Sequence, residues 1–225
     1  MIRKAVLTLA MLVLTASSAW AVNPELGLNS FGVFFEQTAD TNCNTSATPY
    51  STLTAYVIAC NLTRPNGLSA IEFTLLVNPT TFSAGISFDG GGGFINALTP
   101  PVFFCGISPS RNGQAVTIIT ISTFYLGGPI YFGLGPSVPS SFASLYPGYA
   151  DADDPGILVP LHPCSQVAWT LPIYKGSNTD ERLPANGPPN SLLVAAVNAT
   201  DPACPPFGVS ATQQSSWGSV KNLYR

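Results

Sequence analysis

Apolar and polar residues alternate along much of this chain with the two-residue period of a β-strand. Phe31, Val33 and Phe35 alternate with Gly32, Phe34 and Glu36, and Ile71, Phe73, Leu75 and Val77 alternate with Glu72, Thr74 and Leu76. Tyr56, Ile58, Cys60 and Leu62 share one face of the segment 52–62. Each pattern predicts a strand with one buried face, because successive side chains of a strand point to opposite sides. Further strands are predicted over 81–88, 93–98, 102–107, 114–125, 130–134, 156–161, 167–174 and 191–198. Turn formers separate them, among them Pro65-Asn66-Gly67, Arg111-Asn112-Gly113, Gly127-Gly128-Pro129 and Asn186-Gly187-Pro188. Strands at this spacing, with no helical period between them, predict an all-β, antiparallel β-sandwich. A parallel sheet would need crossover helices, for which there is no room.

The two ends of the chain follow other patterns. Arg3 and Lys4 precede the run AVLTLAMLVL at 5–14, and Ala19-Trp20-Ala21 places small residues where a signal peptidase reads. This is the layout of a secretory signal helix with cleavage after Ala21. Asn23-Pro24 ends the apolar run short of the roughly 20 residues a membrane span needs. No second run approaches that length, so the mature chain is expected to carry no transmembrane span. At the other end, Ser215-Ser216 can cap a short helix over 217–225, with Trp217, Val220, Leu223 and Tyr224 on one face. Lys221 and Arg225 lie in its last turns, where cations suit the helix dipole. Such a helix is too short to persist alone, so the tail either docks or is read by another protein. The expected organisation is a signal peptide at 1–21, a sandwich domain at 22–210 and a tail at 211–225.

Composition adds compartment and excludes some partners. Loss of residues 1–21 takes the formal net charge from -3 to -5 and leaves six scattered Lys and Arg. Nucleic acid, which calls for clustered cations, is not an expected partner. Charged residues make up only 8% of the chain, against about a quarter in ordinary domains. Ser, Thr, Asn, Gly and Pro supply the polarity, which again favours strands and turns over helical surface. In an exported chain, Cys43, Cys60, Cys105, Cys164 and Cys204 are disulfide candidates. The odd number leaves at least one unpaired or bonded to another chain. If 167–174 and 191–198 form a hairpin, Cys164 and Cys204 fall at the same end, which makes them the preferred pair. Cys60, on a buried strand face, can equally be a free core thiol.

Chemistry-bearing motifs are sparse. Asp151, Asp153 and Asp154 form the main carboxylate cluster and are a candidate calcium site, although a D-x-D-x-D-G spacing with a distal Glu is absent. Asp and Pro-Gly are also ordinary turn formers. His162 is the only histidine, no G-x-S-x-G occurs, and nothing in the sequence pairs Glu36, Glu72, Asp89 or the Asp151 group as two facing carboxylates. The chain is therefore not expected to be an enzyme, and no cofactor other than calcium is expected.

Phe31-Gly-Val-Phe-Phe-Glu36, Thr41-Asn-Cys43, the strand at 56–62 and Gly67-Leu-Ser-Ala-Ile-Glu-Phe73 together resemble a group of secreted bacterial β-sandwich proteins. Their C-terminal tails look like Trp217-Gly218-Ser-Val220-Lys221-Asn-Leu223-Tyr224-Arg225. The early strands are also similar to those of cohesin-like and immunoglobulin-like sandwiches. The resemblance covers about residues 30–77 and the last nine, and it implies export, a sandwich fold and a sorting or anchoring role for the tail. The expected function is an exported, non-catalytic extracellular or cell-surface module, structural, adhesive or protein-binding. Signal peptidase and the secretion machinery are expected partners, followed by a surface protein or glycan. A carbohydrate-binding module with calcium at Asp151–Asp154 is the alternative, and a secreted hydrolase is the third reading.

Overall fold

The computed structural model describes residues 27–39, 44–78, 84–88, 93–98, 100–142, 145–171, 183 and 187–199. The signal peptide, the C-terminal tail, Cys43 and Cys204 lie outside them. The described residues form two β-sheets and no helix. Among them, no helix is long and apolar enough to cross a membrane.

The first sheet contains β1 (Ser30–Phe34), β3 (Ser51–Cys60), β5 (Ala84–Phe88), β8 (Ala115–Tyr125) and β12 (His162–Pro163) in the order β12-β1-β3-β8-β5. The second runs β11 (Leu158–Pro160), β10 (Gly148–Asp151), β4 (Leu68–Asn78), β9 (Ile130–Gly135), β13 (Leu192–Val197), β2 (Asn44–Thr45). On the other edge of β4 lies β7 (Val102–Arg111), and β6 (Gly93–Asn96) pairs with β7. Pairing is antiparallel throughout except for β1 with β12 and β13 with β2, which are parallel.

β4 organises the second sheet. Its first half pairs with β7 on one edge and β10 on the other, and its second half pairs with β9. Ile71, Phe73, Leu75 and Val77 point into the space between the sheets and meet Phe31 and Val33 of β1 there. The Phe73 ring stacks on Phe103 at 4.9 Å and meets the edge of Phe31 at 5.1 Å. This ring contact joins the two sheets at the centre of the core, and full burial of each such side chain stabilises by about 1.5–3 kcal/mol.

The expected all-β sandwich is the observed fold, with differences in detail. Tyr56, Ile58 and Cys60 do not face the main core. Leu53, Ala55, Val57 and Ala59 do, while Ile58 and Cys60 join Phe34 and Ala39 in a smaller buried cluster. Both faces of β3 are covered towards its end, so alternation there cannot identify the inner one. The register shifts between Val57 and Ile58, where Ile118 of β8 has no partner and two successive isoleucines, Ile118 and Ile119, are both buried. Of the expected strand at 167–174, residues 172–174 lie outside the described residues, and 167–171 contain an isolated bridge between Ala168 and Leu192, supported by bonds between Trp169 and Ser191 and between Leu193 and Val167. Trp169 packs with Leu76, Val102, Leu193 and Ala196, on the side of the second sheet away from the first. That segment covers a sheet face instead of extending a sheet edge.

Candidate functional site

The even-numbered residues of β4 face away from the inter-sheet core. There Ala70, Glu72, Thr74 and Leu76 would meet solvent in a plain two-layer sandwich, yet Glu72 is only 4% exposed and Thr74 fully buried. The described chain between β9 and β10, residues 136–142 and 145–147, accounts for this. It leaves the sheet and folds back over the outer face before adding β10 beside β4. Two β4 side chains hold it down. The Thr74 hydroxyl donates to Pro136 O at 2.6 Å, and Glu72 Oε1 accepts from Ser141 N–H at 2.8 Å and from the Ser140 hydroxyl at 3.2 Å.

Across the strands, Glu72 stands between Phe104 of β7 and Gly148 of β10. Gly148 carries no side chain, and the Phe142 ring occupies the space that one would fill. The result is a cavity of about 190 Å³ bordered by Ala70, Glu72, Phe104, Phe142, Gly148 and Leu158, among others. Its walls are largely apolar, and among the described residues Glu72 is the only one that brings a carboxyl group to them. Phe104, at 41% exposure, brings an aromatic ring to the protein surface beside it. Glu72 Oε2 is buried and meets no donor from the described residues. Removing a carboxylate oxygen from water without a partner costs free energy, more than for a neutral polar group.

The Asp151 cluster has a different layout. Asp151, at the end of β10, places Oδ2 3.4 Å from Arg64 Nε, and its Oδ1 accepts from Asp153 N–H at 3.1 Å. Asp153 accepts from the Asn66 side-chain amide at 2.6 Å, and Asp154 accepts from Gly156 N–H at 3.1 Å. The three acids shape the turn between β10 and β11 and tie it to the 64–67 turn. A guanidinium against Asp151 opposes a second cation there. Among the described residues, no three His, Cys, Asp or Glu side chains come together as a metal-binding group. His162 is exposed on the edge strand β12, with its ring 6.1 Å from that of Tyr146.

No disulfide forms among the described residues, and Cys204, the preferred partner of Cys164, lies outside them. Cys60, Cys105 and Cys164 carry free thiols. Cys105 faces Ile71 in the main core, and Cys164 packs against the small cluster that contains Cys60. Burial pushes the Cys60 and Cys105 thiols up to about 12. Cys164 is raised well above the ordinary thiol range by burial and then by the nearby Cys60. Core placement therefore explains two of the five cysteines without any bridge.

A pH dependence follows from Cys105. In the unfolded chain its thiol ionises near about pH 8.5, whereas in the folded protein it holds its proton to about pH 12. The native state binds more protons across that window, so stability falls as pH rises through it. The denaturant midpoint of the reduced protein is expected to decline between about pH 8 and about pH 10.5, and Cys105→Val to remove part of that decline. An unchanged decline in the variant would place Cys105 in contact with solvent.

Sequence periodicity alone did not single out Glu72. The available signal was an acid within Ile71-Glu-Phe-Thr-Leu-Leu-Val77, a strand with apolar residues on both faces. Its Ser140 and Ser141 partners lie about seventy residues away, in a segment with no period. No family model matches the chain, and no curated protein matches it.

Proposed function

We propose that this chain is an exported, non-catalytic cell-surface or extracellular module that binds a partner protein through the outer face of its second sheet. The Glu72 cavity carries this reading. It has the character of a binding pocket, apolar with one oriented polar group, and it offers a single carboxyl group where glycoside hydrolysis uses two. Residues 1–21 act as the cleaved signal peptide, and 217–225 act as a sorting or anchoring element, as the resemblance to secreted sandwich proteins implies. Cys164 and Cys204 pair once the chain reaches an oxidising compartment. The antiparallel contact of residues 167–169 with 191–193 favours that pairing.

Expression of the full chain in a secreting bacterial host tests the reading. The exported protein is expected to begin at Val22 by mass spectrometry, and non-reducing peptide mapping to recover a Cys164–Cys204 peptide. Deletion of 217–225 is expected to change its location without changing its thermal stability. Unchanged location with lost stability would instead make the tail a docked structural element. Carbohydrate binding is the second reading, favoured by the exposed Phe104 ring beside an acceptor carboxylate. Saturable binding on a glycan array would establish it over a protein partner.

A further inference from the structure

The first sheet also has an outer face, on the opposite side of the sandwich from the Glu72 cavity. Antiparallel pairing sets Thr52 opposite Phe124, Thr54 opposite Ser122 and Tyr56 opposite Thr120, with Ser87 of β5 beyond Thr120. Directly opposed residues share a face, and these alternate with the core-facing Leu53, Ala55 and Ile121. Near Ile58 and Cys60 the face is closed by their cluster with Phe34 and Ala39. Elsewhere it is open. Thr52, Ser87 and Ser122 are exposed, and so is the Phe124 ring, at 59%. Tyr50, 75% exposed, lies at the same end of β3 and β8. Among the described residues, nothing bonds to the hydroxyls of Thr52, Thr54, Thr120 and Ser122. β3, β5 and β8 contain no charged side chain.

We propose that this face binds a neutral polysaccharide, laid along β3 and β8 with a sugar ring stacked on Phe124. A hydroxyl both donates and accepts hydrogen bonds, so an array of them matches a ligand that is itself built of hydroxyls. The aromatic ring offers apolar surface to the C–H face of a sugar. Charge decides between classes of ligand. An anionic polymer or an anionic lipid surface calls for cations, and these strands supply none. A peptide that adds a strand needs unpaired backbone, but β3 and β8 are each paired on both edges. An uncharged chain of hydroxyl-bearing rings fits the hydroxyls, the ring and the missing charge together.

The test is made on the purified mature chain and does not depend on export, localisation or a protein partner. The chain is run on native gels cast with rising concentrations of hydroxyethyl-cellulose, galactomannan or polygalacturonate. The expected result is saturable retardation by at least one of the two neutral polymers and none by the anionic one. Phe124→Ala is expected to weaken that affinity about tenfold. Thr54→Val, which keeps the shape and removes the hydroxyl, is expected to weaken it about threefold. Phe104→Ala, on the second sheet, is expected to leave it unchanged. Urea denaturation checks that each variant is folded. No retardation by either neutral polymer, equal retardation by all three, or native affinity in Phe124→Ala would overturn the proposal. Affinity lost in Phe104→Ala and kept in Phe124→Ala would overturn it too, by placing the sugar on the second sheet.

Discussion

Replacing Phe73 with alanine is expected to lower the free energy of unfolding by about 3–5 kcal/mol. The ring is fully buried and joins the sheets, stacked on Phe103 and edge-on to Phe31. Removing it deletes apolar contact and leaves a cavity that three strands of two sheets must close together. Phe104→Ala changes the next residue in sequence after Phe103, but on the outer, 41% exposed side of β7. Its cost is expected to stay below about 1 kcal/mol. Urea denaturation of both variants measures the contrast. Similar losses would mean that the two faces of β7 have been assigned wrongly.

Gly67→Ala is expected to be nearly as damaging, at about 2–5 kcal/mol. Residue 67 adopts φ of +76° at the end of the Arg64–Gly67 turn, where its N–H donates to Arg64 O at 3.0 Å. Side chains rarely adopt this conformation, and a Cβ here would also run into the Arg111 carbonyl. That carbonyl belongs to backbone, so it cannot turn aside as a long side chain would. Gly106→Ala on β7 is the matched control. A Cβ there meets nothing within 4 Å, and the variant is expected to stay within about 0.5 kcal/mol of the native protein. Comparable midpoints for the two variants would contradict the tight approach of the 64–67 turn to Arg111.

These two variants also show how far sequence periodicity reaches. Phe73 and its neighbours on β4 were legible because one face meets the other sheet and three alternate positions on the strand share that environment. β3 was read on the wrong face because its far end is covered on both sides, and on β8 the bulge at Ile118 breaks the count. β10 was missed altogether. Gly148-Tyr-Ala-Asp151 has no apolar alternation over four residues, and its strand character comes from pairing with β4. The segment around Trp169 looked like a strand because aromatic and apolar residues suit strands. Here they suit equally well a cover over Leu76, Val102 and Leu193. The Asp cluster was visible as a cluster, but Arg64 and Asn66, the donors that occupy two of its acids, come from the turn before β4.

The Glu72 site was the least legible part for the same reason. A strand pattern specifies which side of a sheet a residue faces. It does not specify that a distant loop will return over that side and bond one carboxylate oxygen while leaving the other free. Thr74, two residues along, helps to hold the same loop at Pro136, so the cavity depends on two polar side chains of one strand.

The account's central claim is that Glu72 holds Ser140 and Ser141 over the outer face of the second sheet through one carboxylate oxygen. The most direct test is amide hydrogen exchange at Ser141, compared residue by residue between the native chain and Glu72→Ala. The account predicts that Ser141 is protected in the native chain and loses that protection in the variant. Equal protection of Ser141 in both would contradict it, because it would show that the segment is held without the carboxylate.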